Sequence, residues 1–99
     1  MEDATTRTVL VRIHGRVQGV WYRGWTVETA QDLGLTGWVR NRSDGTVEAL
    51  LRGPTRAVTT MITACHQGPP AARVTRVEVQ EEGADADIGC VGFRQIATM

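Results

Sequence analysis

Gly15-Arg16-Val17-Gln18-Gly19-Val20-Trp21-Tyr22-Arg23 is the stretch whose reading decides the fold. The residues leading into it alternate. Val9, Val11, Ile13, Gly15 and Val17 share one face, while Leu10, Arg12, His14 and Arg16 share the other, so Thr8 to Val17 reads as a half-buried strand. The residues leaving it follow a helical period instead. Tyr22, Thr26, Ala30 and Leu33 form one stripe, flanked by Trp25 and Val27, and Gly34 stops the helix. Gly24 is a local cost inside that helix. A strand, a glycine turn and a helix start leave backbone N–H groups unpaired. The first helical turn cannot satisfy its own donors, and the helix dipole adds partial positive charge there. Such a place binds anions, phosphate above all. Arg23 lies in that first turn and adds a fixed fork of donors.

Outward from this stretch the chain punctuates itself clearly. Thr36 to Asn41 reads as a second strand, Ser43-Asp44-Gly45 as a turn, and Thr46 to Arg52 as a third strand with Val47, Ala49 and Leu51 inward. Gly53-Pro54 ends that strand and Thr55 is the expected N-cap of a second helix reaching about Gln67. Val58, Met61, Ile62 and Cys65 make its apolar stripe. Gly68-Pro69-Pro70 stops it. Arg73 to Glu81 is a fourth strand, in which Val77 and Val79 share a face and Val74 does not. Glu82 to Gly89 reads as an acidic loop, and Gly92 to Ile96 as a short last strand.

The order β-α-β-β-α-β plus a terminal strand predicts an α+β fold, the ferredoxin-like sandwich, with two helices on one face of an antiparallel sheet. In that plan the first two strands run parallel with the third between them. The glycine turn after the first strand and Asn41 at the end of the second then meet at one sheet edge, although Arg23 and Asn41 are far apart in sequence.

At 99 residues the chain fits one domain, read here as a flexible arm over 1–7 and a domain over 8–99. The start, Met1-Glu2-Asp3-Ala4, lacks the pattern of a signal peptide, and no stretch is apolar enough to cross a membrane. Two cysteines, Cys65 and Cys90, make no disulfide framework and suit a reducing, cytoplasmic setting. All eleven basic residues are arginine, and seven of them fall between Arg7 and Arg52 against four acids, so the first half is mildly electropositive. That balance suits an anionic ligand, although uneven surface charge alone would also produce it. His14 and His66 read as surface residues and Cys65 as core. Neither cysteine has an arginine six residues downstream, and no Lys-Ser/Thr follows Gly15-x-x-x-Gly19, so cysteine-phosphatase and nucleotide-binding loops are both absent.

Three motifs in order carry a resemblance: Gly-Arg-Val-Gln-Gly-Val-x-Tyr-Arg at 15–23, Gly-Leu-x-Gly-Trp-Val-Arg-Asn at 34–41 and Asp-Gly-Thr-Val-Glu at 44–48. Together they resemble the acylphosphatase family, and the likeness runs from about Val9 to Ile96, including Gly68-Pro69-Pro70. The resemblance implies a small cytosolic hydrolase that cleaves the carboxyl–phosphate bond of acyl phosphates with no metal and no cofactor. It places the phosphate-binding loop on Arg16, Val17, Gln18, Gly19, Val20, Trp21, Tyr22 and Arg23, acting mainly through backbone amides. It makes Arg23 the phosphate-binding arginine and Asn41 the water-orienting asparagine. Trp21, Tyr22 and Arg42 depart from the residues usual in such sequences, and Trp21 and Arg42 stand where they would shape the mouth of the pocket.

The chemistry is consistent with those residues. A carboxylate leaving group has a pKa of about 4 and departs without a general acid. Phosphoryl transfer then needs mainly positioning and charge stabilisation, which amides and an arginine supply. The side-chain amide of Asn41 both donates and accepts, as an oriented water requires. The expected partners are a small acyl phosphate (acetyl, carbamoyl or glyceroyl) and inorganic phosphate as product and competitor, with no nucleic acid, no membrane and a monomeric state. Two other readings stand beside this one. Trp38 on an open sheet face would suit a non-catalytic anion- or RNA-binding ferredoxin-like module, and an acylphosphatase-like fragment of a carbamoyltransferase would share the same motifs. Taken singly, Arg23 after a glycine turn also reads as a structural arginine and Asn41 as a turn residue at a strand end; the paired motifs argue against both.

Overall fold

The computed structural model of the chain describes residues 5–82 and 92–99. The elements are β1 (Thr6–Arg16), α1 (Tyr22–Asp32), β2 (Thr36–Asn41), β3 (Val47–Pro54), α2 (Thr55–Cys65), β4 (Arg73–Glu81) and β5 (Phe93–Gln95). They build one sheet in the order β4-β1-β3-β2-β5. β3 lies antiparallel to β1 on one side and to β2 on the other, so β1 and β2 run parallel with β3 between them. This is the ferredoxin-like plan. The sheet is mixed rather than antiparallel throughout, because β5 pairs parallel with β2 through Gly37–Phe93, Trp38–Arg94 and Val39–Gln95. β4 occupies one edge and β5 the other, and β5 runs in the direction of β2.

Alternation sorts the sheet into two faces. Val9, Val11 and Ile13 of β1, Val39 of β2 and Val47, Ala49 and Leu51 of β3 are fully buried under the helices. Leu10, Arg12, Trp38, Arg40, Glu48 and Leu50 take the opposite, helix-free face. α1 packs on β2, β3 and β5, and α2 on β1 and β3. Tyr22, Thr26 and Ala30 of α1 and Val58, Met61 and Cys65 of α2 face this core, as their spacing predicts. α2 is rich in β-branched residues of poor helix propensity, so its buried stripe and the core it meets hold it in place.

Several boundaries differ from the sequence reading. Thr6 and Arg7, assigned to the arm, extend β1 by pairing with Pro54 and Gly53. Arg7 is held there by Glu81, its Nη2 2.5 Å from Oε2, and by Thr59 at 3.0 Å. Residues 1–4 of the expected arm, the loop from 83 to 89 and Cys90 lie outside the described residues. Thr55 is the first helical residue rather than the N-cap; Pro54 takes that place, and the Thr55 hydroxyl donates to the Thr5 carbonyl instead. The conflict between Val74 and Val77 in β4 is resolved by a bulge. His14 pairs with Arg76 but Gly15 pairs with Val74, so Thr75 is an extra residue on β4. The bulge lets both Val74 and Val77 pack against the core. It also brings the β4 backbone so close to Gly15 that any side chain there would collide with the Arg73 carbonyl.

Candidate active site

The loop between β1 and α1 is anchored from inside. Val17 before it and Tyr22 after it are each 1% exposed, and Val20 packs partly against the same core. The Tyr22 hydroxyl donates to the Cys65 carbonyl at 2.6 Å, which joins the start of α1 to the end of α2. Burial raises the Tyr22 phenol far above its ordinary value and pushes the Cys65 thiol up to about 12, so neither is a nucleophile at neutral pH. These apolar anchors leave the backbone between them to face outward. Gly19 has φ 74° and Trp21 has φ 70°, both in the left-handed region. A left-handed Trp21 followed by a right-handed Tyr22 turns successive N–H groups toward one side, the geometry of an anion-binding concavity.

The amide accounting agrees with that shape. The first bond of α1 runs from the Trp25 N–H to the Trp21 carbonyl at 3.0 Å, and no side chain caps the helix. The N–H groups of Tyr22, Arg23 and Gly24 therefore lie ahead of the helical ladder. Among the described residues, no backbone acceptor takes the amides of Gln18 to Gly24. Gathered at the positive end of a helix dipole, they form a site for negative charge.

Asn41 ends β2, paired with Val47 on the row that faces the helices. Its Oδ1 is buried and has no hydrogen-bond partner among the described residues. An unmet buried acceptor of this kind is a place for a hydrogen from water or a ligand, and without one costs about 1–3 kcal/mol. The loop reaches this strand end through one side chain. Gln18 Nε2 donates to the Arg42 carbonyl at 2.8 Å and to the Thr46 carbonyl at 2.9 Å. The turn itself is set by Asp44, whose Oδ1 accepts from the Thr46 N–H at 3.0 Å and the Thr46 hydroxyl at 2.6 Å. The topology thus joins the loop and the end of β2, as the order of elements predicts. The role of the Gln18 side chain was not legible in the sequence, where only its backbone amide was singled out.

The charges sort themselves around this loop. Arg12, Arg40 and Arg42 all converge on Glu48, with N–O distances of 3.4, 2.8 and 3.3 Å. Glu48 is 4% exposed. Burial disfavours its charge, but hydrogen bonds and attraction from Arg40, Arg12 and Arg42 outweigh that and hold the carboxyl below its ordinary value. Arg42, expected at the pocket mouth, therefore sends its guanidinium to the helix-free face and offers the loop only its carbonyl. Arg7 is paired with Glu81. Arg16, exposed at the end of β1, and Arg23, half-buried in α1, carry no acid partner among the described residues. Both arginines bracket the loop in sequence, one at the end of β1 and one in the first turn of α1. His14 faces Glu78 at 2.7 Å and the His66 ring lies against the Ile62 carbonyl, so neither points to the loop.

Two grooves lie elsewhere. One of about 410 Å³ is lined by Leu10, Arg12, Glu48, Glu78 and Gln80, and one of about 290 Å³ by Thr5, Thr36, Arg52 and Pro54. An anion held by backbone amides needs only a shallow concavity, so the unpaired donors locate this site better than volume does. Among the described residues no three His, Cys, Asp or Glu side chains group as a metal site, and no helix is long and apolar enough to cross a membrane.

Comparison with known proteins gives a consistent match. The family model described as acylphosphatase matches residues 9–95. An acylphosphatase of Acidovorax is 54% identical over 99 residues, covering 99% of this chain and 98% of the relative. One of Rhodospirillum rubrum is 68% identical over 73 residues, covering 74% of this chain and 80% of the relative. The crystal structure of acylphosphatase from Bacillus subtilis superposes with a TM-score of 0.85 at 34% identity, over 91% of this chain and 98% of that one.

Proposed function

The chain belongs to the acylphosphatase family, and on that premise we propose that it hydrolyses small acyl phosphates to a carboxylate and inorganic phosphate. The observation that carries this reading is the set of unpaired amides from Gln18 to Gly24 joined through Gln18 to the strand end that holds the unmet Asn41 Oδ1. The phosphoryl oxygens sit on those amides and on the Arg23 guanidinium, which approaches as a fork. The Asn41 Oδ1 accepts a hydrogen from the attacking water and aims its oxygen at phosphorus. The water oxygen bonds to phosphorus, the bond from phosphorus to the acyl oxygen breaks, and its electron pair leaves with the carboxylate. The water proton passes to the phosphate product and solvent. Charge gathering on the equatorial oxygens is met by donors already in place, which is where preorganisation contributes most. The scheme uses no metal and no cofactor.

Of the two competing readings, neither a non-catalytic anion- or RNA-binding module nor a carbamoyltransferase fragment is favoured by relatives that match at this identity and coverage. We place the chain in the cytoplasm as a monomer that binds no nucleic acid. The buried free thiol of Cys65 suits a reducing compartment. The deciding experiment is turnover of acetyl phosphate by the purified chain in excess EDTA. Full activity is expected. Activity lost to EDTA and restored by a divalent ion would overturn the mechanism, and no turnover under any condition would overturn the function.

A further inference from the structure

Trp21 is costly where it stands. The residue is 58% exposed, and its backbone holds φ 70°, a conformation that glycine adopts freely and other residues rarely do. Three residues on, the sequence accepts a second local cost, a glycine inside α1. The two costs have one common result. A Cβ on Gly24 would collide with the indole: Nε1, Cδ1 and Cε2 all crowd its position, the two carbons at 2.7 Å. Three atoms of the five-membered ring around one point place that ring flat on the Gly24 backbone. One indole face therefore lies against the start of α1, and the exposure of Trp21 leaves the other open to solvent. Local conflicts that persist in a structure concentrate at functional sites.

We propose that the Trp21 indole is a platform for the acyl group, making Trp21 the residue that sets acyl preference toward flat, apolar acyl phosphates. This rests on the reading above, that the loop amides and Arg23 hold the phosphoryl end. With that end seated, the acyl group extends outward from the loop, and Trp21 is the exposed aromatic residue of that loop. An aromatic acyl group covers the open indole face and an acetyl group does not. Contact between two aromatic rings of this kind is worth about 3- to 10-fold in relative affinity.

The test is the ratio of kcat/KM for benzoyl phosphate to that for acetyl phosphate, measured for the wild-type chain, Trp21→Gly, Gly24→Ala and the double variant. Trp21→Gly suits φ 70° and Gly24→Ala suits a helix, so both are compatible with folding. The ratio should fall about 3- to 10-fold in Trp21→Gly. It should fall in Gly24→Ala as well, because the added methyl displaces the indole without changing Trp21. In the double variant the ratio should equal that of Trp21→Gly alone, since no indole is left to displace. A role confined to loop structure would change both substrates together, and an unchanged ratio in Trp21→Gly overturns the platform. Should Trp21→Gly fail to fold, an unchanged ratio in Gly24→Ala overturns it equally. If the wild-type chain turns over neither substrate, the hydrolytic reading itself falls and the platform with it.

Discussion

Gln18 Nε2 and the carbonyl of Arg42 are 2.8 Å apart, and this contact joins the loop before α1 to the end of β2. A second bond from the same nitrogen to Thr46 braces the turn beyond it. The distance between the unpaired amides and Asn41 is thus fixed by a side chain, not only by the sheet. Gln18→Ala removes both bonds, while each carbonyl keeps one backbone donor, the Gly45 N–H on Arg42 and the Arg42 N–H on Thr46. It should lower stability by about 1–3 kcal/mol in urea denaturation, at roughly 0.5–1.5 kcal/mol per bond. Turnover should fall as well, since positioning errors of an ångström are costly in such sites. A variant with the wild-type midpoint and kcat would show that the sheet alone sets the spacing.

Arg23 has no acid partner among the described residues, so its removal tests binding more than stability. Inorganic phosphate should compete with acyl phosphate in the wild-type chain. That competition should largely vanish in Arg23→Ala, with the circular dichroism of the folded protein retained. Arg23→Lys should restore little, because a single ammonium does not reproduce the fork. Undiminished phosphate inhibition in Arg23→Ala would remove Arg23 from the phosphate site.

Asn41 contributes at a different stage. A group that orients water stabilises the transition state and adds little to ground-state phosphate binding. Asn41→Ala should therefore lower kcat about 100- to 1000-fold while the phosphate inhibition constant stays near that of wild type. Asn41→Asp should be no better, since a carboxylate repels phosphoryl oxygens. Because Oδ1 is buried with no hydrogen-bond partner among the described residues, its loss leaves none of their donors unpaired, and melting temperature should change little. A loss of rate that merely tracks loss of folded protein would make Asn41 a turn residue.

Glu48 makes a prediction about pH. Its carboxyl is held below the ordinary glutamate value by three arginines that outweigh the effect of burial. A group with a depressed folded pKa adds stability that is fully present above its unfolded value and is lost as pH falls through its folded value. The acid side of the stability profile should therefore steepen below the ordinary glutamate range, and Glu48→Gln should flatten it. Urea midpoints measured between pH 3 and pH 7 for both proteins check this; parallel profiles would place the acid sensitivity elsewhere.

The residues differ in how openly the sequence declared them. The stripes of α1 and α2 and the inward valines of β1 and β3 were legible because burial follows the periods of helix and strand. The αL glycine in the loop and the Asp-Gly turn were legible because few residue types tolerate those conformations. Val74 was not, because a bulge adds one residue at Thr75 and breaks the period on which the reading relied. Gly24 read as a defect, since the indole that needs the space is supplied by a side-chain rotamer that no spacing rule specifies.

The same division runs through the site. Local sequence by itself determined where the unpaired amides fall, because a strand, a glycine turn and a helix start dictate backbone hydrogen bonding within a few residues. It also determined that Asn41 ends a strand. Only the tertiary structure decided that Gln18 spans from the loop to Arg42 and Thr46, that Arg42 turns to Glu48 and away from the loop, and that the Asn41 Oδ1 is left unmet. Those outcomes depend on side chains from separate strands arriving at one sheet edge, and their partners are chosen by distance in space, which one-dimensional spacing does not contain.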